Sequence, residues 1–316
     1  MKTLLKLIVT VLVLLSFLFL IPSGAFVGHA EVVEIPLEAK ADDIPSPQEE
    51  SYLSATEYED PSISVSITTG KMYDTGYMIA RVKLANASQI RSCISGTYSQ
   101  PREVLGYKLA KQYHAVLAVN GDFFSMKTNS GITIRQGHAY YLPKEDKNLT
   151  YRGTHYDLLL IDAVGDMHIL KAATLDDLYN LPEDMDIINT FTFGPGLVID
   201  GERQSNFFNF NNSPESKTQR MCIAQVGPLE YLCICCEGPD DPGSVGMTLE
   251  QFTDLVVAQE GVINAYNLDG GGSSTMVFHN KKVNCPNRNV NRSLVDIIYF
   301  ASAYIPEEPV PEETAQ

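Results

Sequence analysis

Residues 265–276 read AYNLDGGGSSTM and hold the densest chemistry of the chain. Asp269 closes an apolar approach strand, Gly270, Gly271 and Gly272 follow, and Ser273, Ser274 and Thr275 supply three hydroxyls. Glycines admit positive φ and let a ligand reach the backbone. Successive N–H groups in such a turn make an anion-binding concavity, to which hydroxyls add donors. An acid beside an anion cradle suits work next to a phosphate. The same run also reads as a structural turn, since Asp-Gly joins paired strands and residues 275–283 (TMVFHNKKV) continue as a second hairpin. A nucleotide P-loop is disfavoured, because no lysine follows the glycines.

A second constellation is Asn120-Gly121-Asp122-Phe123-Phe124. Asn120 can orient a sugar hydroxyl or a phosphate oxygen, Asp122 brings another acid, and the plain alternative is an Asn-Gly turn. Arg220 offers a planar fork that fits a phosphate, although an arginine at a strand entry is commonly just solvated. Glu237 ends a cysteine-bearing strand and precedes Gly238-Pro-Asp-Asp-Pro242. His114, His138, His155, His168 and His279 have no ligand-like spacing and read as structural.

The elements that must position these residues are mostly short strands. Period-two apolar runs bounded by turn residues predict strands at Ser64–Thr68, Met78–Leu84, Ala115–Val119, Leu158–Ile161, Leu197–Ile199, Met221–Val226, Tyr231–Cys236, Ala265–Leu268, Thr275–Phe278 and Val295–Ala301. One helix is predicted from Pro101 to about Tyr113. Thr248 with Gln251 three residues on marks the capped start of a second, which ends by Gly261. A third, shorter helix follows Thr174. The first two helices each lead into a buried strand ending in a polar, Gly-containing turn, so the two turns are expected to line one site. The fold class is α+β, a single strand-rich mixed domain with two to three helices packed on the sheets.

The 316-residue chain divides into residues 1–30, 31–60, 61–305 and 306–316. Lys2 and Lys6 precede an apolar stretch from Leu7 to Ile21, the pattern of a signal peptide or signal anchor. The expected location is secreted or membrane-anchored, with membrane contact only through this segment. Of the net charge of −16, residues 31–60 account for −9 and residues 306–316 for −4, while the first thirty add +2. Residues 61–305 therefore carry about −5, and the acidic, proline-containing flanks read as a solvated spacer and tail. The absence of a basic patch argues against a nucleic-acid partner. Six cysteines in an exported chain permit disulfides, yet Cys233 and Cys235 share one strand face while Cys236 faces away, so buried thiols are expected for some. The spacing of a zinc site is missing.

The series AVNGDFF (118–124), GITIRQG (131–137), FGPGLVIDGE (193–202), QRMCIAQVG (219–227), GMTLEQF (246–252), NLDGGGSSTM (267–276) and Arg292 before a final strand resembles the phosphodiester glycosidase domain, over about residues 75–303. The resemblance implies cleavage between a sugar's anomeric carbon and a phosphate ester, on a sugar-phosphate or phosphorylated polysaccharide. Asn120, Gly121 and Phe124 fit the family's pattern, but Asp122 stands where a glycine is usual. Arg220 fits, with Met221-Cys222 in place of Thr-Ala. Glu237-Gly238-Pro239 keeps an acid and a glycine and loses an arginine. Asp269 to Thr275 match throughout.

Leaving-group chemistry completes the expectation. An ordinary glycosidase uses two carboxyl groups, one of them to protonate a poor alkoxide. A phosphate monoester, with a second pKa of about 6, leaves more readily, so stabilising the departing phosphate carries more of the catalysis. That role falls to Arg220, the N–H groups of Gly270–Gly272 and the hydroxyls of Ser273 and Ser274. Asp269 is the principal carboxylate, Glu237 the second, and Asn120 holds the sugar. No cofactor is required. Two rivals stand beside this reading. One is a non-catalytic surface module that binds anionic glycans. The other is a metal-dependent phosphodiesterase with Asp122, Asp269 and Glu237 as oxygen ligands.

Overall fold

The structure, a computed structural model, describes residues 30–122, 130–151, 153–207, 213–285 and 292–307. The signal segment up to residue 29, Phe123 and Phe124, and the tail from residue 308 lie outside the described residues. The chain divides into two units: residues 32–304, which hold every element discussed below, and a unit of the two ends, 1–31 and 305–316.

Among the described residues, two antiparallel sheets dominate the larger unit. One has eight strands, in the order Glu202–Arg203, Gly196–Ile199, Asn264–Leu268, Arg220–Gly227, Glu230–Cys236, Thr75–Leu84, Ile63–Met72 and Glu57–Glu59. The other has five: Lys281–Lys282, Met276–Phe278, Ala115–Asn120, Asp296–Ala301 and Ile90–Ile94. Their facing sides, with Val65, Val82, Ile223, Cys233, Leu268, Val119, Phe278 and Ile298, form one apolar core. A smaller sheet of Met167–Leu170, Leu158–Asp162 and Ile187–Phe191 extends it through Leu159, Ile161 and Phe191. The α+β class expected from the sequence is the class observed.

The outer faces are covered by helices. Leu249–Val257 lays Leu249, Phe252, Leu255 and Val256 on Cys222, Ala224, Leu232 and Ile234 of the large sheet. Its start is the capping box read from the sequence: Gln251 N–H donates to Thr248 Oγ1 at 3.2 Å and Thr248 N–H to Gln251 Oε1 at 3.1 Å. Leu175–Tyr179 is capped in the same way by Thr174 and Asp177. The third helix, Gly106–Gln112, covers the five-stranded sheet with Leu109 and Ala110. It begins five residues later than the sequence pattern suggests, because Gln100–Pro101 and Val104–Leu105 are spent on short strand pairs.

The acidic stretch 31–60 departs from the solvated spacer its composition suggests. Its acids other than Asp60 are exposed, but Ile35, Ile44 and Tyr58 between them are 3%, 3% and 1% exposed and pack into the cores. A few well-spaced apolar side chains outweigh the charge balance of the segment. All six cysteines are buried free thiols. Cys233 and Cys235 lie in the central core and Cys236 in the opposite one, as strand alternation requires.

Candidate active site

Asp269 follows the strand Asn264–Leu268, all five residues of which are buried. Residues 193–196 stitch that strand in place. Asn267 N–H donates to Pro195 O at 3.1 Å and Asn267 Nδ2 to Gly194 O at 2.8 Å. The Tyr266 hydroxyl accepts from Phe193 N–H at 2.9 Å and donates to Asp157 O at 2.7 Å. Burial raises the pKa of Asp269 above the ordinary aspartate value. The Ser273 hydroxyl, Arg292 and Gly270 N–H pull it down, and the charge of Asp122 pushes it up again.

The Gly-rich run closes into a 3₁₀ turn at Gly271–Ser273, with Gly271 at φ 55°, the left-handed region that favours glycine. Its donors turn inward. Gly270 N–H serves Asp269, and Gly271 N–H donates to Gln219 O at 2.9 Å. Ser273 N–H donates to Gly270 O at 3.0 Å, Ser274 N–H to Gly271 O at 3.3 Å and Thr275 N–H to Asn120 Oδ1 at 3.0 Å. The N–H groups of Gly270, Gly271, Ser273, Ser274 and Thr275 are thus directed to partners within the protein rather than to an open anion nest. Residues 269–275 must carry the chain from the large sheet to the five-stranded one, and that connection consumes these N–H groups. The Ser274 hydroxyl is likewise spent on Arg220 O at 3.3 Å, and Thr275 is buried.

Ser273 has a different part. Its hydroxyl donates to Asp269 and accepts from Arg292 Nη1 at 3.2 Å. Arg292 is exposed, and its guanidinium lies on Gly272, 3.1 Å from where a Cβ would stand. A carboxyl group, a hydroxyl and a solvent-facing cation thus meet at one end of the sandwich.

Arg220, the cation the sequence favoured, is elsewhere engaged. It is 3% exposed, and its guanidinium donates to Ser213 O at 2.9 Å, Ser216 O at 2.7 Å and Met247 O at 3.3 Å. Burial lowers its pKa from the usual arginine value. It pins the loop before its own strand, a role that one-dimensional spacing cannot tell from phosphate binding.

Asn120 is also a clamp. Its Nδ2 donates to Asp269 O at 2.7 Å and to Gly121 O at 3.1 Å, while Oδ1 holds Thr275 N–H. The two turns do come together, as their parallel construction suggested, and Asn120 joins them through backbone. Asp122 is 1% exposed and accepts from Arg135 Nη2 at 2.8 Å and from Thr192 N–H. The same Nη2 reaches Asp296 Oδ2 at 2.9 Å. Gly121 is required beside them, because a Cβ there would overlap the Asp296 carboxylate. Arg135 lies in the GITIRQG block and Asp296 in the strand Asp296–Ala301; nothing in their local spacing showed that they meet.

Glu237 is partly buried. Its carboxylate accepts from Ser244 Oγ at 2.7 Å and packs on Gly76. Gln219 sits between it and the Gly-rich turn, touching Gly238 with its side chain and Gly270 with its carbonyl. The charges acting most strongly on Asp269 are Arg292 and Asp122. Among the described residues no three His, Cys, Asp or Glu side chains are grouped to hold a metal. Of the three acids a metal-dependent phosphodiesterase would use, Asp122 is held by Arg135 and Glu237 by Ser244.

The arrangement of two facing antiparallel sheets has counterparts among known proteins. The phosphodiester glycosidase family model matches residues 113–301, and the chain belongs to that family. It is 27% identical over 199 residues to the SPbeta prophage-derived uncharacterized protein YomE of Bacillus subtilis (strain 168). That match takes in 60% of this chain, which spans only 28% of that relative's length. The zebrafish N-acetylglucosamine-1-phosphodiester alpha-N-acetylglucosaminidase catalytic domain, auto-inhibited by its pro-peptide, shares the fold. There the TM-score is 0.57 at 16% identity, covering 87% of this chain and 89% of that one. A hypothetical protein from Synechocystis gives a TM-score of 0.49 at 13% identity, over 76% of this chain and 62% of its own.

Proposed function

We propose that the protein hydrolyses the anomeric C–O bond of a sugar-1-phosphodiester, with Asp269 at the reacting bond and Arg292 on the phosphate. The observation that carries this is the meeting of the Asp269 carboxyl and the Arg292 guanidinium on one hydroxyl, that of Ser273. A planar cation suits the two free phosphate oxygens of the diester and the charge that grows on them as the bond breaks. A carboxyl group whose pKa is raised by burial binds a proton more tightly than a solvated one. When ionised it is the stronger base toward water, and when protonated it can assist departure of the phosphate. Asp122 keeps negative charge near Asp269, and Asn120 fixes the carbonyl of Asp269, so both act as positioning residues. Glu237 stays the candidate second carboxylate, reached by a substrate that crosses Gln219.

The apolar stretch from Leu7 to Ile21 supports export, with a phosphorylated extracellular or surface polysaccharide as the natural substrate. Among the described residues no helix is long and apolar enough to cross a membrane. The test is hydrolysis of a sugar-1-phosphodiester in ¹⁸O-labelled water. Label in the released sugar is expected. Label in the phosphate would overturn the assignment in favour of phosphodiesterase chemistry.

A further inference from the structure

A cavity of about 340 Å³ opens between the N-terminal stretch at Leu37–Ala39, the edge strand Ile90–Ile94 and the hairpin of Thr133–Arg135 with His138–Tyr141. Its volume falls at the lower end of small-molecule sites, which run from about 300 to 1,000 Å³. None of the residues proposed above to act on the phosphodiester lines it.

The wall is aromatic. The rings of Tyr98 and Tyr140 stack at 5.5 Å, His138 meets Tyr140 edge-on at 4.4 Å, and Tyr113 leans on Tyr299 at 5.6 Å. Burial raises the phenol pKa of Tyr98, and that of Tyr113 to about 12, so both remain neutral donors. The two guanidinium groups in the wall are committed. Arg91 gives its N–H groups to the carbonyls of Ile35, Pro36 and Leu37, and Arg135 to Asp122, Asp296 and Thr190. Glu38, exposed at the same cavity, repels anions. Gln136 Oε1 accepts from Ser92 N–H at 2.9 Å and Asn189 Nδ2 at 3.2 Å, which holds its side chain as part of the cavity floor.

Aromatic faces with neutral hydroxyls, without an uncommitted guanidinium, suit a ligand that is uncharged, ring-shaped and rich in oxygen acceptors. We infer that this cavity is a saccharide subsite, separate from the reacting bond, that holds an uncharged sugar unit of the glycan. The choice of a saccharide rests on the phosphodiester glycosidase reading. Arg135 links the two places, because it lines the cavity and binds Asp122, whose charge acts on Asp269.

The chain has no tryptophan and 16 tyrosines, so its intrinsic emission reports on tyrosines. The full chain is titrated with chitotriose, maltotriose and inorganic phosphate, by emission and by calorimetry. Saturable binding of a neutral trisaccharide is expected, undisturbed by phosphate and retained in Asp269→Asn. Tyr98→Ala and Tyr140→Ala should each weaken it at least tenfold; if the first does not fold, the second, at an exposed position, decides. No binding of either trisaccharide, equal binding by the folded variants, or displacement by phosphate overturns the subsite. Turnover of a small sugar-1-phosphodiester by the unaltered chain is measured in parallel. Turnover without trisaccharide binding overturns the subsite alone, and binding without turnover overturns the catalytic reading alone.

Discussion

Arg292 Nη1 lies 3.2 Å from Ser273 Oγ, and that same hydroxyl donates to Asp269. Because Arg292 is exposed, little folding energy depends on it, and its place at the acid motivates the part in phosphate binding proposed for it. Arg292→Ala should lower kcat/KM for a sugar-1-phosphodiester by roughly 10²–10³, the usual loss when one charge-stabilising donor is removed. Unfolding free energy should change by no more than about 0.5 kcal/mol. Steady-state kinetics and urea melts on the same preparation check both halves. An unchanged kcat/KM would return the phosphate to another group.

Arg220→Met should do the reverse. It leaves the carbonyls of Ser213, Ser216 and Met247 without their donor inside the protein. Loss of these charge-assisted bonds, one of them to the buried Met247, costs about 1–3 kcal/mol. The unfolding free energy from urea melts should fall by that amount, with kcat/KM in the folded fraction reduced much less than in Arg292→Ala.

The contrast between these arginines marks how far a sequence carries. Both stand in blocks of the same family pattern, and both are cations before strands. What separates them is burial: Arg220 is 3% exposed and enclosed by carbonyls, whereas Arg292 reaches solvent over Gly272. The strands were legible because alternation and turn residues are local signals, and so was the Thr248–Gln251 cap. The edge strand Ile90–Ile94 was not, since Arg91 and Ser92 interrupt its apolar pattern and are buried only through partners in distant segments. The joining of Asp122 to Asp296 by Arg135 was illegible for the same reason. Its members lie on three separate segments, and no spacing rule connects them.

Asp269 has its pKa raised, first by burial and in part by the charge of Asp122. The ionisation of Asp269 in the pH profile of kcat/KM should therefore lie above the ordinary aspartate value of about 3.9. Asp122→Asn removes a negative charge from its surroundings, which makes ionisation of Asp269 easier. The limb should move to lower pH, while Asp269→Asn abolishes sugar release altogether. A limb unmoved in Asp122→Asn would show that the two carboxyl groups do not communicate.

Asp122 and Asp296 face one guanidinium in a dry interior, two acids against a single cation. Burial, then the neighbouring Asp122, pushes the pKa of Asp296 up to about 7, against the pull of Arg135. An acid whose folded pKa exceeds its unfolded value costs nothing while both states are protonated. The cost appears once the unfolded chain ionises while the folded protein still holds its proton, so stability should fall as pH rises from about 4 to about 7, where the folded acid ionises too. Asp269 and Asp157, also raised by burial, add to the same slope. Asp296→Asn keeps a neutral partner for Arg135 and Asp122 and has no proton to lose. Its urea unfolding free energy should vary less with pH over this range and exceed that of the unaltered protein at pH 8. Parallel pH dependences of the two proteins would mean that Asp296 ionises as readily in the folded state as in the unfolded one.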